Sequence, residues 1–339
     1  MRKHSLRLVF ALLSVVFLTA CASQREAREK TGEPKSGFSI WKYLDRHQKA
    51  WLFSYFTGDG DGLHLAYSYD GLIWRPLNQG RPLLKPEVGQ ARLLRDPSIL
   101  QGPDGTFHMV WTTGWTEKGI GYASSQDLIH WSEQREIPVM AHEPEARNTW
   151  APELFYNKGT YYIVWASTSP GRVPVNGTAE DGYNHRLYYT KTKDFKTFTP
   201  TALFYDPDFN VIDACFIKEG SKYYMFLKNE TLEPVEKNIR MVVSGKLEKF
   251  PASVSDPLTG QDWAEGPTAV KISKYTYLYW DKYRNHRYGA MRTKKLGKPQ
   301  WEDISDMVRF PAGMRHGTAF QVDASVLKNI QRLTDPREE

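Results

Sequence analysis

Cysteine is almost missing from this 339-residue chain: only Cys21 and Cys215 occur, and they form no CxxC pair. A dithiol redox centre is therefore excluded. The P-loop, the HExxH zinc helix and the GxSxG nucleophile elbow are absent too, which removes three common routes to phosphoryl transfer, metalloproteolysis and serine hydrolysis. No apolar run reaches the ~20 residues that a bilayer-spanning helix needs. The longest candidate, Leu8–Leu18, stops well short. Neither sign of charge dominates. The formal net charge is +6, too small and too scattered for a nucleic-acid partner.

What is present begins with an export signal. Arg2, Lys3 and Arg7 precede the apolar run, and Leu18-Thr19-Ala20-Cys21 follows it. Residues 1–20 have the layout of a signal peptide. The small residues before Cys21 resemble a bacterial lipobox. That resemblance implies cleavage ahead of Cys21, acylation of its thiol and attachment to a membrane by burial of lipid chains. An ordinary signal peptide with a cysteine at the cut is the alternative. Cleavage would remove three positive charges and no negative ones, taking the net charge from +6 to +3. With Cys21 acylated, Cys215 would be the one thiol left, so no internal disulfide could form. Ala22 is not the aspartate typical of inner-membrane retention, so the expected location is the outer membrane, on its periplasmic or cell-surface face. Residues 21–37 lack aromatics and read as a flexible tether, with a short docked helix as the alternative. Residues 38–325 are rich in Tyr, Trp and Phe without a second polar linker, which predicts one large domain. Residues 326–339 read as a tail continuing from a short helix (SVLKNIQRL).

Within that domain two patterns repeat. One is a strand, a tight turn and an aromatic that opens the next strand: LAYSYDGLIW, GYASSQDLIHW, YYTKTKDFKTF and, more weakly, MVVSGKLEKF and AMRTKKLGKPQW. The turns fall near residues 70, 127, 194, 246 and 296. The other is a short apolar strand with a polar start: RDPSIL, WAPELFY, VIDACFI, AEGPTAV and HGTAFQV. The first four are each followed by a turn and an aromatic strand, the signature of a hairpin. Five units at this period predict an all-β, five-bladed β-propeller; a sandwich of short strands is the alternative. The fifth inner strand has too little chain after it to finish a blade. Trp51–Leu77 has strands but no inner strand of its own. The N-terminal strands are therefore expected to complete the last blade and close the ring.

Inner strands of a propeller line its central channel, and their starts converge on one mouth. Here those starts carry Asp96, Glu153, Asp213, Glu265 and His316. Carboxyls crowded round one funnel are pushed toward different protonation states, which is what acid/base glycoside hydrolysis requires. At these residues the chain resembles glycoside hydrolase family 43, the five-bladed arabinofuranosidases and xylosidases of clan F, over about residues 50–325. The resemblance implies an inverting mechanism. Asp96 of RDPSIL would be the general base, Glu265 of WAEGPTAV the general acid, and Asp213 of VIDACF the residue that orients that acid and tunes its pKa. Glu153 stands where the family often has aspartate.

Expected substrate contacts are Trp150, Glu153, Trp263, Arg287, Arg315 and His316, with Arg95 and His286 as further donors. His316 resembles an axial histidine that in some members helps to hold a calcium or sodium ion through waters; no cofactor is otherwise required. The glycine-rich GDGDG at 58–62 lacks the oxygen ligands of a calcium loop and reads as a turn. No base is indicated for Cys215, so it is not expected to be catalytic. The activity implied is removal of terminal sugars, α-L-arabinofuranosyl or alternatively β-xylosyl or galactosyl, from a glycan by a monomer. A non-catalytic carbohydrate-binding propeller is the competing reading.

Overall fold

The computed structural model describes residues 49–335, apart from 169–170, 172–174 and 261. The signal peptide, Cys21 and the tether lie outside the described residues. The chain opens with β1 (Lys49–Tyr55), β2 (His64–Ser68) and β3 (Arg75–Pro76). Blade one follows as β4 (Arg95–Gln101), β5 (Phe107–Thr112), β6 (Ile120–Ser125) and β7 (Arg135–Ile137). Blade two is β8 (Trp150–Asn157), β9 (Thr160–Thr168), β10 (His185–Thr192) and β11 (Ala202–Tyr205). Blade three has three strands, β12 (Val211–Glu219), β13 (Lys222–Asn229) and β14 (Asn238–Ser244). Blade four is β15 (Glu265–Ile272), β16 (Tyr275–Lys282), β17 (Arg287–Thr293) and β18 (Glu302–Asp303). The chain ends in β19 (Thr318–Asp323) and helix α1 (Ala324–Thr334).

Strand β19 does not begin a new sheet. It pairs antiparallel with β1, Ala50 opposite Val322 and Phe53 opposite Ala319. Blade five therefore runs β19-β1-β2-β3, as the strand count predicted. The inner strands β4, β8, β12, β15 and β19 touch in succession, and the last touches the first. Each inner strand ends its own sheet and turns its free edge to the channel, away from solvent-exposed pairing with another chain.

Local chemistry explains the repeats. In three blades a Ser or Thr ends the third strand and an Asp lies two residues on. Ser125 Oγ accepts the N–H of Leu128 (2.8 Å), while Asp127 accepts those of Ile129 (2.9 Å) and His130 (2.8 Å). Ser68 with Asp70 and Thr192 with Asp194 build the same turn. Blades three and four keep Ser244 and Thr293 but have no Asp there, which is why their signal in the sequence is weaker. Between blades, large side chains fill the wedge-shaped gaps, with Trp111, Trp165, Tyr279 and Phe226 fully buried. Helix α1 packs Leu327 and Ile330 into the core shared by blades one and five.

Candidate active site

The starts of the inner strands share one irregularity. In each of β4, β8, β12 and β15 the pairing with the next strand slips at the start, between Arg95 and Ser98, Trp150 and Glu153, Ile212 and Cys215, and Glu265 and Thr268. One residue of each bulge takes a left-handed backbone: Asp96 (φ 52°), Ala151 (φ 47°), Asp213 (φ 56°) and Gly266 (φ 56°). A bulge re-aims side chains at the end of a strand. Here it turns Asp96 and Asp213 toward the mouth of the channel. In blade four glycine takes the left-handed position, and the acid is the residue before it, Glu265.

A pocket of about 390 Å³ occupies that mouth, within the usual range for a small-molecule site. His316 Nδ1 lies 3.2 Å from Asp96 Oδ1 and 4.0 Å from Asp213 Oδ2. Thr112 Oγ1 donates to Asp96 Oδ2 (2.8 Å). Asp213 Oδ2 accepts the N–H of Gly266 (2.9 Å), next in sequence to Glu265. Glu265 itself accepts from Arg315 (3.1 Å) and Lys228 (3.3 Å). Arg315 also binds Asp281 (2.7 Å). Lys228 also binds Glu230 (2.6 Å), which pairs with Lys237 as well.

These environments separate the carboxyls. Burial opposes ionisation of Asp96, but the hydrogen bond and charge of His316, with Arg95 and Thr112, outweigh it and bring its pKa down to about 2. Burial raises Asp213 to about 6, with the charges of Glu265 and Asp96 adding to it against His316 and Lys228. Asp281 likewise rises to about 6 through burial and Glu265, against the pull of Arg315. His316 is buried, which disfavours its charge, yet Asp213 and Asp96 raise it to about 9. One acid is thus held ionised, while two others sit near the pH at which they share protons.

Of the residues expected from sequence, Asp96, Asp213, Glu265, Trp150, Arg315 and His316 all line this pocket. Four do not. Glu153 sits deeper in the channel, because it follows the slip in β8 as Ser98 does in β4, and the counterpart of Asp96 is Ala151. Its carboxyl accepts from the Ser98 hydroxyl (2.6 Å) and Thr318 (3.3 Å), and burial raises it to about 7 against those bonds. Trp263 stands behind Tyr283, 6.0 Å between ring centroids, with the Arg284 guanidinium over its face. Arg287, with His286, opens the third strand of its blade and lies away from the axis, in a separate hollow beside Phe310 and Met314.

Other residues of the site went unread in the sequence. Lys228, next to last in β13, lines the pocket, and Asp281, next to last in β16, is buried behind it on Arg315; they stand opposite Ile212 and Glu265 in the pairing register. A charge directly after an apolar middle strand, as in YYMFLK and YTYLYWD, was the available signal. Trp115, Tyr183 and Tyr283 complete the aromatic lining. Trp150 stacks near Tyr183 (6.0 Å, 25°), and its Nε1 donates to the Trp115 carbonyl (2.9 Å). The Arg95 guanidinium lies between Phe56 (4.5 Å) and Trp115 (4.4 Å). It pairs with Asp59 of the glycine-rich 58–62 turn, so that turn reaches the site through Arg95.

A family model of the glycosyl hydrolase 43-related group, described as "Probable glycosyl hydrolase domain", matches residues 46–326. An α-L-arabinofuranosidase of Bifidobacterium longum subsp. longum is 24% identical over 283 residues, covering 69% of this chain; the chain spans only 26% of that relative's length. Among solved structures, the α-L-arabinofuranosidase of Lactobacillus brevis superposes with a TM-score of 0.50 at 18% identity, over 62% of this chain and 72% of that one. A thermostable family-43 glycoside hydrolase gives 0.48 at 15% identity, over 62% and 71%. Because the family model spans all five blades, the chain belongs to the family 43-related glycoside hydrolases.

Proposed function

We propose that this glycoside hydrolase removes terminal α-L-arabinofuranosyl residues from a glycan by inversion, with Asp96 as general base, Glu265 as general acid and Asp213 as the residue that orients the acid. The observation that carries the reading is the opposed environment of the carboxyls round one pocket. Asp96, held ionised beside His316, suits removal of a proton from the attacking water. Asp213 grips the N–H beside Glu265 and so fixes the strand end from which that side chain projects. Trp150, Trp115 and Tyr183 offer apolar faces to the C–H face of a sugar. Glu180, Asp181 and Tyr183 also line the pocket, and all three come from the 169–185 insertion. A wall on one side favours exo action. The choice of arabinofuranose rests on the names of the relatives; β-xylosyl and galactosyl units are the alternatives.

A structural calcium or sodium ion in the channel would be held mainly through waters. Among the described residues no three His, Cys, Asp or Glu side chains are arranged to ligate one. For location, the reading is an exported monomer, lipid-anchored through Cys21 at the outer membrane. Palmitate labelling that survives in a Cys21→Ala variant would overturn it.

The enzymatic reading is tested with a panel of aryl furanosides and pyranosides, following the product by proton NMR. Release of arabinose with inverted anomeric configuration is expected. Retention would overturn the mechanism. Sugar binding without release would mark the protein as a non-catalytic carbohydrate-binding propeller.

A further inference from the structure

The two faces of the ring differ in charge. At the catalytic mouth, six carboxylates line the pocket against three Arg or Lys side chains and His316. The opposite face is built from two sets of turns, those joining the first strand to the second in each blade and those following the third. On blades three and four these turns expose Lys218, Lys222, Lys246, Lys274, Lys295 and Lys298. Contacts between blades hold the turns on one side: Leu296 N–H donates to Glu219 (3.0 Å), and Tyr162 of blade two donates to Glu248 (2.7 Å).

On blades three and four Glu219 pairs with Lys271 (3.6 Å), Glu248 with Lys191 (3.3 Å) and Glu302 with Arg292 (2.8 Å). None of the six lysines has a carboxylate within ion-pair distance among the described residues. They form a positive surface on these two blades, in which Lys295 and Lys298 edge a hollow shared with Arg292, Lys294 and Glu302. Such a surface suits a partner that carries spread negative charge.

Strand β1 begins on the same face, because Lys49 pairs with Asp323 at the far end of the fifth inner strand. We propose that the lysine-rich face of blades three and four docks on an anionic phospholipid surface and points the catalytic mouth away from the membrane. The identity of the partner rests on the Cys21 anchor reading, since a lipid attached there would hold the protein at a membrane. Clustered lysines bind acidic lipid head groups through many weak, salt-sensitive contacts, and the orientation leaves the funnel open to a glycan from outside.

The test uses the full chain in a Cys21→Ala background, so that failure of the surface is distinguishable from failure of the anchor. Binding is measured by co-sedimentation with phosphatidylcholine vesicles, with and without phosphatidylglycerol. The expected result is phosphatidylglycerol-dependent binding that weakens as salt rises. Changing all six lysines to Gln should lower it at least ~100-fold, while hydrolysis of a soluble aryl glycoside stays unchanged. Phosphatidylglycerol-dependent binding that survives the six changes would overturn the proposal. So would equal binding to the neutral vesicles, or binding to polygalacturonate with none to phosphatidylglycerol.

Discussion

Asp96 and His316 face each other at the mouth, 3.2 Å apart. Asp96→Asn should lower kcat ~10²–10⁴-fold with the thermal midpoint little changed, as expected for loss of a general base. Glu265→Gln should cost as much on substrates with poor leaving groups and far less on activated aryl glycosides, which need no proton; steady-state kinetics on the two substrate types checks this. Lys228 carries a charge that bears on proton delivery, since its ammonium bridges Glu230 and Glu265. Lys228→Met removes a cation that favours the carboxylate, so the alkaline limb of the kcat/KM profile should move to higher pH. A lysine that served packing alone would leave that limb in place. Stability carries its own pH signature. His316 rises from 6.5 to about 9 on folding, so its contribution is full below pH 6.5 and is lost as pH rises through 9. Asp96 falls from 3.8 to about 2, so its contribution is full above pH 3.8 and is lost as pH falls through 2. The Tm of the wild type should therefore decline between pH 6.5 and 9 more steeply than that of His316→Gln, as calorimetry across that range would show. Asp96, Asp213 and Glu265 were legible because each lies beside a turn-like motif at a strand start. Lys228 and Asp281 were not, because cross-strand pairing, which sequence spacing does not record, brings Lys228 into the pocket and Asp281 beneath Arg315.

The bulged inner strand is the element that makes the site. Its left-handed residue is Asp in two blades, Ala in one and Gly in blade four, and the last has a separate reason. A Cβ on Gly266 would meet the His316 ring at 2.3 Å. Gly266→Ala should thus cost roughly 1–3 kcal/mol from backbone strain and also displace His316, lowering activity further; chemical denaturation and kinetics together separate the two effects. Glu153 lies two residues beyond Ala151, the counterpart of Asp96, and there Ser98 and Thr318 satisfy it. Trp263 and Arg287 do not line the pocket. Adjacency in sequence to a site strand does not decide which way a loop or a third strand turns.

At the scale of the whole ring, closure rests on one pairing between distant parts of the chain. Blade five takes its inner strand from β19 and the rest from β1–β3, and Phe53 packs against Trp74, Tyr279 and Tyr288 of blades four and five. Truncation at Gly317 removes that inner strand and helix α1. It should abolish cooperative unfolding, seen as loss of a single sharp transition by circular dichroism. Closure also sets the polarity on which the membrane proposal depends, because alternating strands send pocket residues to one face and lysine-bearing turns to the other.

The sequence alone determined the blade count, the shared last blade and the three acids, because each is written in local patterns: hairpin turns, alternating aromatics and a polar residue at a strand start. Only the tertiary structure decided which of the nearby residues meet at the mouth. It brought Lys228 and Tyr183 in, kept Trp150 and Arg315, and left Glu153, Trp263 and Arg287 out. The physical reason is that register slips and loop paths are fixed by packing between blades. The environment of each carboxyl, and with it the division between ionised Asp96 and the raised Asp213, depends on charges contributed by strands far apart in the chain.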